Sequence, residues 1–319
     1  MSRVAAIDCG TNSIRILVAD VTESFDGTPA LRDIYREQRV VRLGKGVDAT
    51  GVLDPEALER TRVALADYTA VLRRKGAERV RMVATSATRD ARNRDDFFGM
   101  VRATLGVDAE IISGDEEARL SFAGAVGELE QQDGPFVVVD TGGGSTELVV
   151  GELTADGATV RAAYSADIGS VRITERCLAG DPPSAAEVTK ARELAMEVLA
   201  EAFDAVPVDG VRTWVGVAGT ITTLSAYAQR LQAYDPAAVH LSRLSVDDLH
   251  RIADELLGMS REQRREHKSI DPGRIDVIGG GALIVDVLGA ALRERAGIAE
   301  MVVSEHDILD GIARAIAIA

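Results

Sequence analysis

The chain contains one stretch of sequence twice, and this duplication decides the fold prediction. Residues 4–21 read VAAIDCGTNSIRILVADV and residues 136–153 read FVVVDTGGGSTELVVGEL. An alignment without a gap brings four pairs into register: Asp8 with Asp140, Gly10 with Gly142, Ser13 with Ser145, and Arg15 with Glu147. Each copy is an apolar run, an aspartate, a turn of small residues and a second apolar run, which is typical of a β-hairpin.

The turns of these hairpins are candidate phosphate sites. Small-residue turns present backbone N–H groups that bind anions, and an aspartate at a strand end can hold a metal ion or its water. A single copy would be read as an ordinary hairpin in which glycine supplies a positive φ. Because serine recurs in register, we expect two facing turns that bind a phosphate chain from both sides.

The rest of the sequence predicts alternating strands and helices. Strands are expected near 3–8, 14–20, 34–41, 79–85, 109–112, 136–140, 146–152, 158–166 and 212–217. Helices are expected near 55–75, 95–105, 115–127, 184–205, 219–230, 246–257, 274–292 and 306–317. This order predicts two related α/β domains, residues 1–130 and 131–319, with a cleft between them. The polar linker at 130–135 is the expected boundary, and the final helix could return to the first domain.

Composition excludes some classes of protein. The chain has 319 residues, 46% of them apolar, and a net charge of −15, which argues against nucleic-acid binding. No apolar run is long enough to span a bilayer, and the start MSRVAAID predicts a strand rather than a signal peptide. Cys9 and Cys177 form no paired motif, which favours a reducing cytoplasm. An anionic substrate would need local cations. The candidate segments are residues 88–94 and 261–274. The alternative is that these charged segments only face solvent.

The second hairpin carries the sharpest chemical pattern. Consecutive glycines cost conformational entropy, so the run Gly142, Gly143 and Gly144 indicates a need for close approach of backbone to a ligand. Ser145 adds a hydroxyl donor. Glu147 follows Asp140 by seven residues, so the hairpin can bring both carboxylates to one side. A pair of carboxylates beside a phosphate-binding turn predicts a Mg²⁺ site.

Glu117 is the candidate general base. Ser113 and Glu116 fit a helix capping box, which explains Glu116 but not Glu117. Glu117 shares its helix face with Leu120, Ser121 and Gly124. A carboxyl half-buried among such residues has a raised pKa, which suits a base. The alternative is an acid favoured at the helix start by the dipole.

Three further segments are candidates for anion binding. Arg89 follows a strand and could bind phosphate oxygens through its fork of donors. Gly219 and Thr220, in GVAGT, lie between a strand and a helix, where an anion or a nucleotide can bind. Within 261–274, the candidate cations are Arg264, Arg265 and Lys268. The run Gly279–Gly281 fits helix packing as well as binding. The four histidines show no metal-ligand spacing.

The segments IDCGTNSIR, TSATRDA, IISGDEEARL, VVDTGGGSTELV and GVAGT resemble those of the exopolyphosphatase and guanosine pentaphosphate phosphohydrolase family. That family lies in the superfamily of actin, acetate kinase and sugar kinases. The resemblance implies two ribonuclease-H-like domains with the active site between them. It implies Glu117 as catalytic base, Mg²⁺ at Asp140 and Glu147, and phosphate at Arg89 and residues 142–145. In the opposing turn, it implies a place beside the metal for Asp8, and substrate contacts for Asn12, Ser13 and Arg15.

The sequence therefore predicts a Mg²⁺-dependent, cytoplasmic hydrolase that removes the terminal phosphate of inorganic polyphosphate, without nucleic-acid or membrane partners. A homodimer is left open. Long members of the family carry further C-terminal domains, so we expect weak processivity on very long chains. The alternatives are hydrolysis of guanosine pentaphosphate, a nucleotide-using kinase or ATPase, and a non-catalytic sensor of polyphosphate or guanosine tetraphosphate.

Overall fold

The duplicated hairpins start the two sheets of the molecule. A computed structural model describes residues 2–23, 29–155 and 157–318. The chain divides into a first unit, Met1–Gly124 with Ile308–Ala319, and a second unit, Ala125–Asp307. The first unit is therefore built from two separate stretches of chain, and the second from one.

The described residues form the following elements. The strands are β1 Ser2–Cys9, β2 Ser13–Glu23, β3 Pro29–Val40, β4 Arg79–Ala84, β5 Ala109–Ile111, β6 Phe136–Thr141, β7 Thr146–Thr154, β8 Gly157–Ala166, β9 Thr213–Val217, β10 Arg243–Ser245 and β11 Glu300–Val303. The helices are α1 Val47–Thr50, α2 Pro55–Lys75, α3 Ser86–Asp90, α4 Arg94–Leu105, α5 Gly114–Ala125, α6 Ser170–Cys177, α7 Ala185–Ala205, α8 Ala218–Ala228, α9 Pro236–Val239, α10 Val246–Gly258, α11 Arg261–Arg265, α12 Ile278–Ala296 and α13 Ile308–Ile318.

The first unit is a five-stranded sheet with helices on both faces. The strand order is β3-β2-β1-β4-β5. Strand β2 is antiparallel to both of its neighbours, β1 and β3, whereas β4 and β5 run parallel to β1. One face packs on α2 and α4 through a core that includes Leu65, Tyr68 and Phe97. The other face packs on α13, where Ile308 and Ile312 meet the strands. The helix at the end of the chain thus completes the core of the first unit.

The second unit repeats this sheet and extends it. Its order is β10-β11-β9-β6-β7-β8, so that β6, β7, β8, β9 and β11 correspond to β1, β2, β3, β4 and β5. Strand β10 is an addition at the edge, antiparallel to β11. One large cluster around Trp214 buries the residues between this sheet and its helices.

Most predicted elements are confirmed, with ends within a few residues. The bounds of α2 are those predicted, because Asp54 caps its first turn, with Pro55 at the first position, and Gly76 ends it in a left-handed conformation. Strands β10 and β11 and the short helices α1, α3, α6, α9 and α11 were not predicted. Across the described ranges, no helix is long and apolar enough to cross a membrane.

Candidate functional site

The two hairpins hold their polar residues in equivalent register. In the ladder of β6 and β7, Asp140 lies directly opposite Glu147. In the ladder of β1 and β2, Asp8 lies directly opposite Arg15. Residues directly opposite in an antiparallel pair share one face of the sheet. The hairpin prediction is confirmed, and the same position holds an acid in one copy and a base in the other.

The two pairs differ in charge balance. Asp8 accepts hydrogen bonds from Arg15 through Nε at 3.0 Å and Nη2 at 2.6 Å, both to Oδ2. In the second unit, Asp140 and Glu147 are both acids and are 6% and 1% exposed. Glu147 accepts a hydrogen bond from Ser165 Oγ at 2.7 Å. The acidic pair is therefore the stronger candidate for a cation, since Asp8 already lies against a guanidinium.

The turns that join these strands have the same backbone hydrogen bond. We call residues 142–145 the glycine turn and residues 10–13 its counterpart turn. The N–H of Gly142 donates to the carbonyl of Ser145 at 3.0 Å, and the N–H of Gly10 donates to the carbonyl of Ser13 at 2.9 Å. The duplication thus extends to the local backbone of the turn.

The carbonyl groups of the glycine turn are held by the start of α6. The N–H of Ser170 donates to Gly142 O at 3.0 Å, and the N–H of Val171 donates to Gly143 O at 2.8 Å. Arg172 Nε donates to Gly144 O at 2.8 Å. Within the described ranges, the N–H groups of Gly143, Gly144 and Ser145 donate no hydrogen bond. These donors are available to a phosphate oxygen.

Helix α6 is a part of the site that the sequence did not reveal. A Cβ at Gly169, the residue before α6, would lie 2.5 Å from the carbonyl carbon and oxygen of Gly143. Only glycine allows this approach, so Gly169 sets the position of the glycine turn. Gly169 and Ser170, which follow a strand, are residue types that often precede or begin a helix. They could have indicated α6 in the sequence.

In the counterpart turn, Asn12 is the notable side chain. It is 6% exposed, and its amide Nδ2 has no hydrogen-bond partner among the residues that the structure describes. A buried donor without a partner costs about 1–3 kcal/mol. The backbone of the turn is held in place, since Val41 and Arg42 donate to Asn12 O at 3.0 and 2.8 Å. The Asn12 amide is thus a candidate donor to a ligand, while Ser13 begins β2 beside it.

Glu117 lies at the start of α5 and is paired with Arg89. It is 8% exposed, more buried than predicted. Arg89 Nη1 donates to Glu117 Oε2 at 2.8 Å and to the carbonyl of Ile112 at 2.9 Å. The adjacent guanidinium stabilises the charged carboxylate and fixes its direction. Elsewhere in the described chain, no residue accepts from the other nitrogens of Arg89.

The capping prediction for the neighbouring Glu116 is half confirmed. Its N–H donates to Ser113 Oγ at 3.1 Å, as in a capping box. Its side chain instead accepts from Arg81 Nη2 at 2.7 Å. Glu116 and Glu117 thus have separate partners, which makes them a matched pair for mutagenesis.

At the start of α8 the ligand site at Gly219 and Thr220 stays a prediction, and neighbouring side chains pack closely on both residues. A Cβ at Gly219 would lie 1.9 Å from Nη2 of Arg274, so the guanidinium covers this backbone. Thr220 is 2% exposed, and a Cβ at Gly281 would lie 2.6 Å from its methyl group. Both residues therefore pack against their own chain. The Gly279–Gly281 run also serves packing, because each glycine makes room for a neighbouring side chain.

The predicted role of Arg264 in a surface track of cations is wrong. Arg264 is 4% exposed, and its Nε and Nη1 donate to the carbonyls of Leu256 and Ile275 at 2.8 and 3.0 Å. Burial lowers the pKa of its guanidinium. The side chain thus ties the end of α10 to the start of α12. Arg265 and Lys268 are exposed, as a track would require.

The second unit also brings two histidines and an acid together, although their spacing in the sequence gave no sign of it. Glu128 Oε2 lies 3.1 Å from His240 Nε2 and 3.3 Å from His306 Nε2. The N–H of Glu305 donates to His240 Nδ1 at 3.3 Å. Glu128, His240 and His306 thus each offer one ligand atom, and these atoms lie within 4.8 Å of one another.

The fold and these turns define a class of protein: α/β proteins of two units, with a repeated hairpin at the start of each sheet. Within that class, the chain belongs to the Ppx/GppA phosphatase family, whose model matches residues 17–315.

Relatives cover the chain from end to end. Exopolyphosphatase 2 of Mycobacterium tuberculosis is 58% identical to it, over 99% of this chain and 99% of that protein. A solved exopolyphosphatase-like protein is 44% identical, with a TM-score of 0.91, over 97% of both chains. A Ppx/GppA family member from Aquifex aeolicus is 32% identical, with a TM-score of 0.79, over 99% of this chain and 98% of that one.

Proposed function

We propose that the protein is an exopolyphosphatase, which hydrolyses the terminal phosphate from inorganic polyphosphate. Its family and the name of its 58% identical relative support this activity. The observation in its own structure that carries the proposal is the glycine turn: three N–H donors lie beside the buried pair Asp140 and Glu147. The N–H donors suit phosphate oxygens, and the carboxylates suit a cation bound to that phosphate.

Asp140 and Glu147 would hold Mg²⁺. Two like charges that are buried opposite each other repel, and a bound cation removes that repulsion. Carboxylate oxygens are the ligands that Mg²⁺ prefers, and one or two are typical beside a phosphate. When bound, the ion neutralises charge on the phosphate oxygens.

The side chains of the first unit would supply the chemistry of water attack. Glu117 accepts a proton from water, whose oxygen forms a bond to the terminal phosphorus. The bridging P–O bond breaks, which releases phosphate and a chain shorter by one unit. Arg89 holds the Glu117 carboxylate in place and has further donors for phosphate. The N–H groups of the glycine turn would stabilise charge on the phosphate that they bind.

The rival functions have less support. Arg274 covers the Gly219 backbone, so a nucleotide would meet a side chain where the kinase hypothesis needs an open helix start. A sensor has no need for a buried carboxylate fixed by an arginine. A cytoplasmic location accompanies the proposal, in keeping with Cys9 and Cys177, which are buried and free.

A direct test compares substrates. Purified protein is given short polyphosphate, long polyphosphate, guanosine pentaphosphate and ATP with Mg²⁺, and phosphate release is measured. We expect polyphosphate to be preferred. A preference for guanosine pentaphosphate over every polyphosphate would move the function to the guanosine substrate, and hydrolysis of ATP alone would favour the ATPase.

A further inference from the structure

The second unit contains a pocket at the C-terminal end of α8. Its volume is about 350 Å³, within the range of ligand sites. We call it the α8 pocket, and its polar lining includes Tyr227, Arg230, Arg251, Glu255, Glu266 and Lys268. These residues come from α8, from α10 and from the segment after α11.

The α8 pocket is cationic although the protein is strongly acidic. Glu255 accepts hydrogen bonds from Arg251 at 2.8 Å and from the Tyr227 hydroxyl at 2.9 Å, and Arg251 also donates to Asp248 at 3.0 Å. In the described structure, the charged groups of Arg230 and Lys268 have no ion pair or hydrogen bond. The acids of the lining are Glu255 and Glu266. The lining thus has three cations, Arg230, Arg251 and Lys268, against two acids, which favours an anionic ligand.

Arg230 occupies a backbone position that favours glycine. Its φ is +55°. Its N–H donates to Tyr227 O at 2.9 Å, and the next N–H, of Leu231, donates to Ala226 O at 3.2 Å. Helices commonly end in such a turn with glycine at the left-handed residue. A strained arginine at this point, facing a pocket, indicates that its side chain has a use.

Helix α8 connects the pocket to the candidate site. Val217, the residue before α8, pairs with Asp140 in the sheet. From Gly219 to Tyr227 the helix rises about 12 Å. A ligand whose reacting end lies at the glycine turn would need to be long and charged throughout to reach the pocket as well.

We propose that the α8 pocket is a second phosphate-binding subsite, which holds a distal part of a condensed phosphate chain through Arg230 and Lys268. This inference rests on the proposed function, because the chain it binds is the substrate of that reaction. It replaces the linear track predicted at 261–274 with a site in which Lys268 meets residues from α8 and α10.

The test uses the double variant R230G/K268A. Glycine suits the backbone at position 230, so this change should leave the melting temperature unchanged or higher. The matched control is R261A/R265A, which removes the same charge from the same surface but outside the pocket. KM is measured with triphosphate and with long polyphosphate.

We expect R230G/K268A to raise KM for long chains about tenfold or more, since two contacts to charged groups are lost, with little change for triphosphate. The control should change both values less than about twofold. E266Q should lower KM for long chains. Equal shifts for both substrates, or an equal effect of the control, would overturn the subsite.

The two proposals can fail separately. If the wild-type protein releases no phosphate from any polyphosphate, the proposed activity is wrong. Calorimetric titration of wild type and R230G/K268A with long polyphosphate then tests the pocket alone. Loss of affinity in the variant would support it, and equal affinity would exclude it.

Discussion

Asp140 and Glu147 lie directly opposite each other in the ladder of β6 and β7, and both are buried. The equivalent positions of the first hairpin hold Asp8 and Arg15, joined by a salt bridge of 2.6 Å. The position that holds Arg15 in the first hairpin holds Glu147 in the second. The first hairpin therefore has an ion pair where the second has two acids. The acidic pair is the proposed metal site, and this proposal underlies the first prediction.

Asp140→Asn and Glu147→Gln should each lower turnover at least about 100-fold, because each removes a carboxylate from the proposed metal site. Each should also reduce the rise in melting temperature that Mg²⁺ causes without substrate, a measurement independent of activity. Glu152→Gln is the control, since Glu152 lies on the same strand and pairs with Arg161. Wild-type activity in excess chelator would contradict the assignment.

Glu117→Gln should lower kcat by about 10²–10⁴-fold with little change in KM, because the amide keeps the shape but accepts no proton. Steady-state kinetics with Glu116→Gln as control test this, since Glu116 pairs with Arg81 instead. Similar losses in both variants would assign Glu117 to the stability of α5.

Gly169→Ala should lower kcat/KM by about 100-fold, because the added Cβ would displace the backbone of the glycine turn. Gly99→Ala in α4 is the control: its Cβ would meet nothing within 4 Å, so it should stabilise the protein by about 0.5–1 kcal/mol. Circular dichroism should show both variants folded. Normal kinetics for Gly169→Ala would mean that the turn tolerates displacement.

Arg264→Ala should reduce the free energy of unfolding by about 2–4 kcal/mol, since two buried carbonyl groups lose their donors. Any effect on KM should be the same for triphosphate and long polyphosphate. Arg265, the exposed neighbour, is the control. Arg265→Ala should change the free energy of unfolding by no more than about 0.5 kcal/mol. Urea denaturation of both variants measures the difference, and a stable Arg264→Ala would restore the surface interpretation.

Asp20 gives a prediction on pH. Hydrogen bonds from Arg3 and Arg32 hold the pKa of its carboxyl at about 2. Because this pKa is lower folded than unfolded, near 3.9, the stabilisation is full above about pH 5 and is lost as the pH falls toward 2. Asp20→Asn should therefore destabilise the protein at pH 7 and flatten the decline of stability in acid. Urea unfolding between pH 7 and pH 3 tests this, and parallel curves would contradict it.

Local signals predicted much of this structure. Apolar runs around a turn gave both hairpins, and a gapless repeat gave their matching register. The helix α2 could be bounded from Asp54, Pro55 and Gly76 alone. All of these depend on residues close together in the chain.

Contacts between distant residues account for what was missed. Arg264 lies in a charged run typical of a surface, yet it is buried because Gly279 leaves room for its guanidinium. Gly169 supports Gly143 from 26 positions away, and Arg274 covers Gly219 from 55. No pattern within one segment records such pairs.

Helix α13 has a consequence for how the protein is made. Its side chains Ile308 and Ile312 bury the strand face that carries Val4 and Leu17, and α13 is translated after the whole second unit. That face of the sheet therefore stays uncovered, and open to chaperones, until α13 has been made.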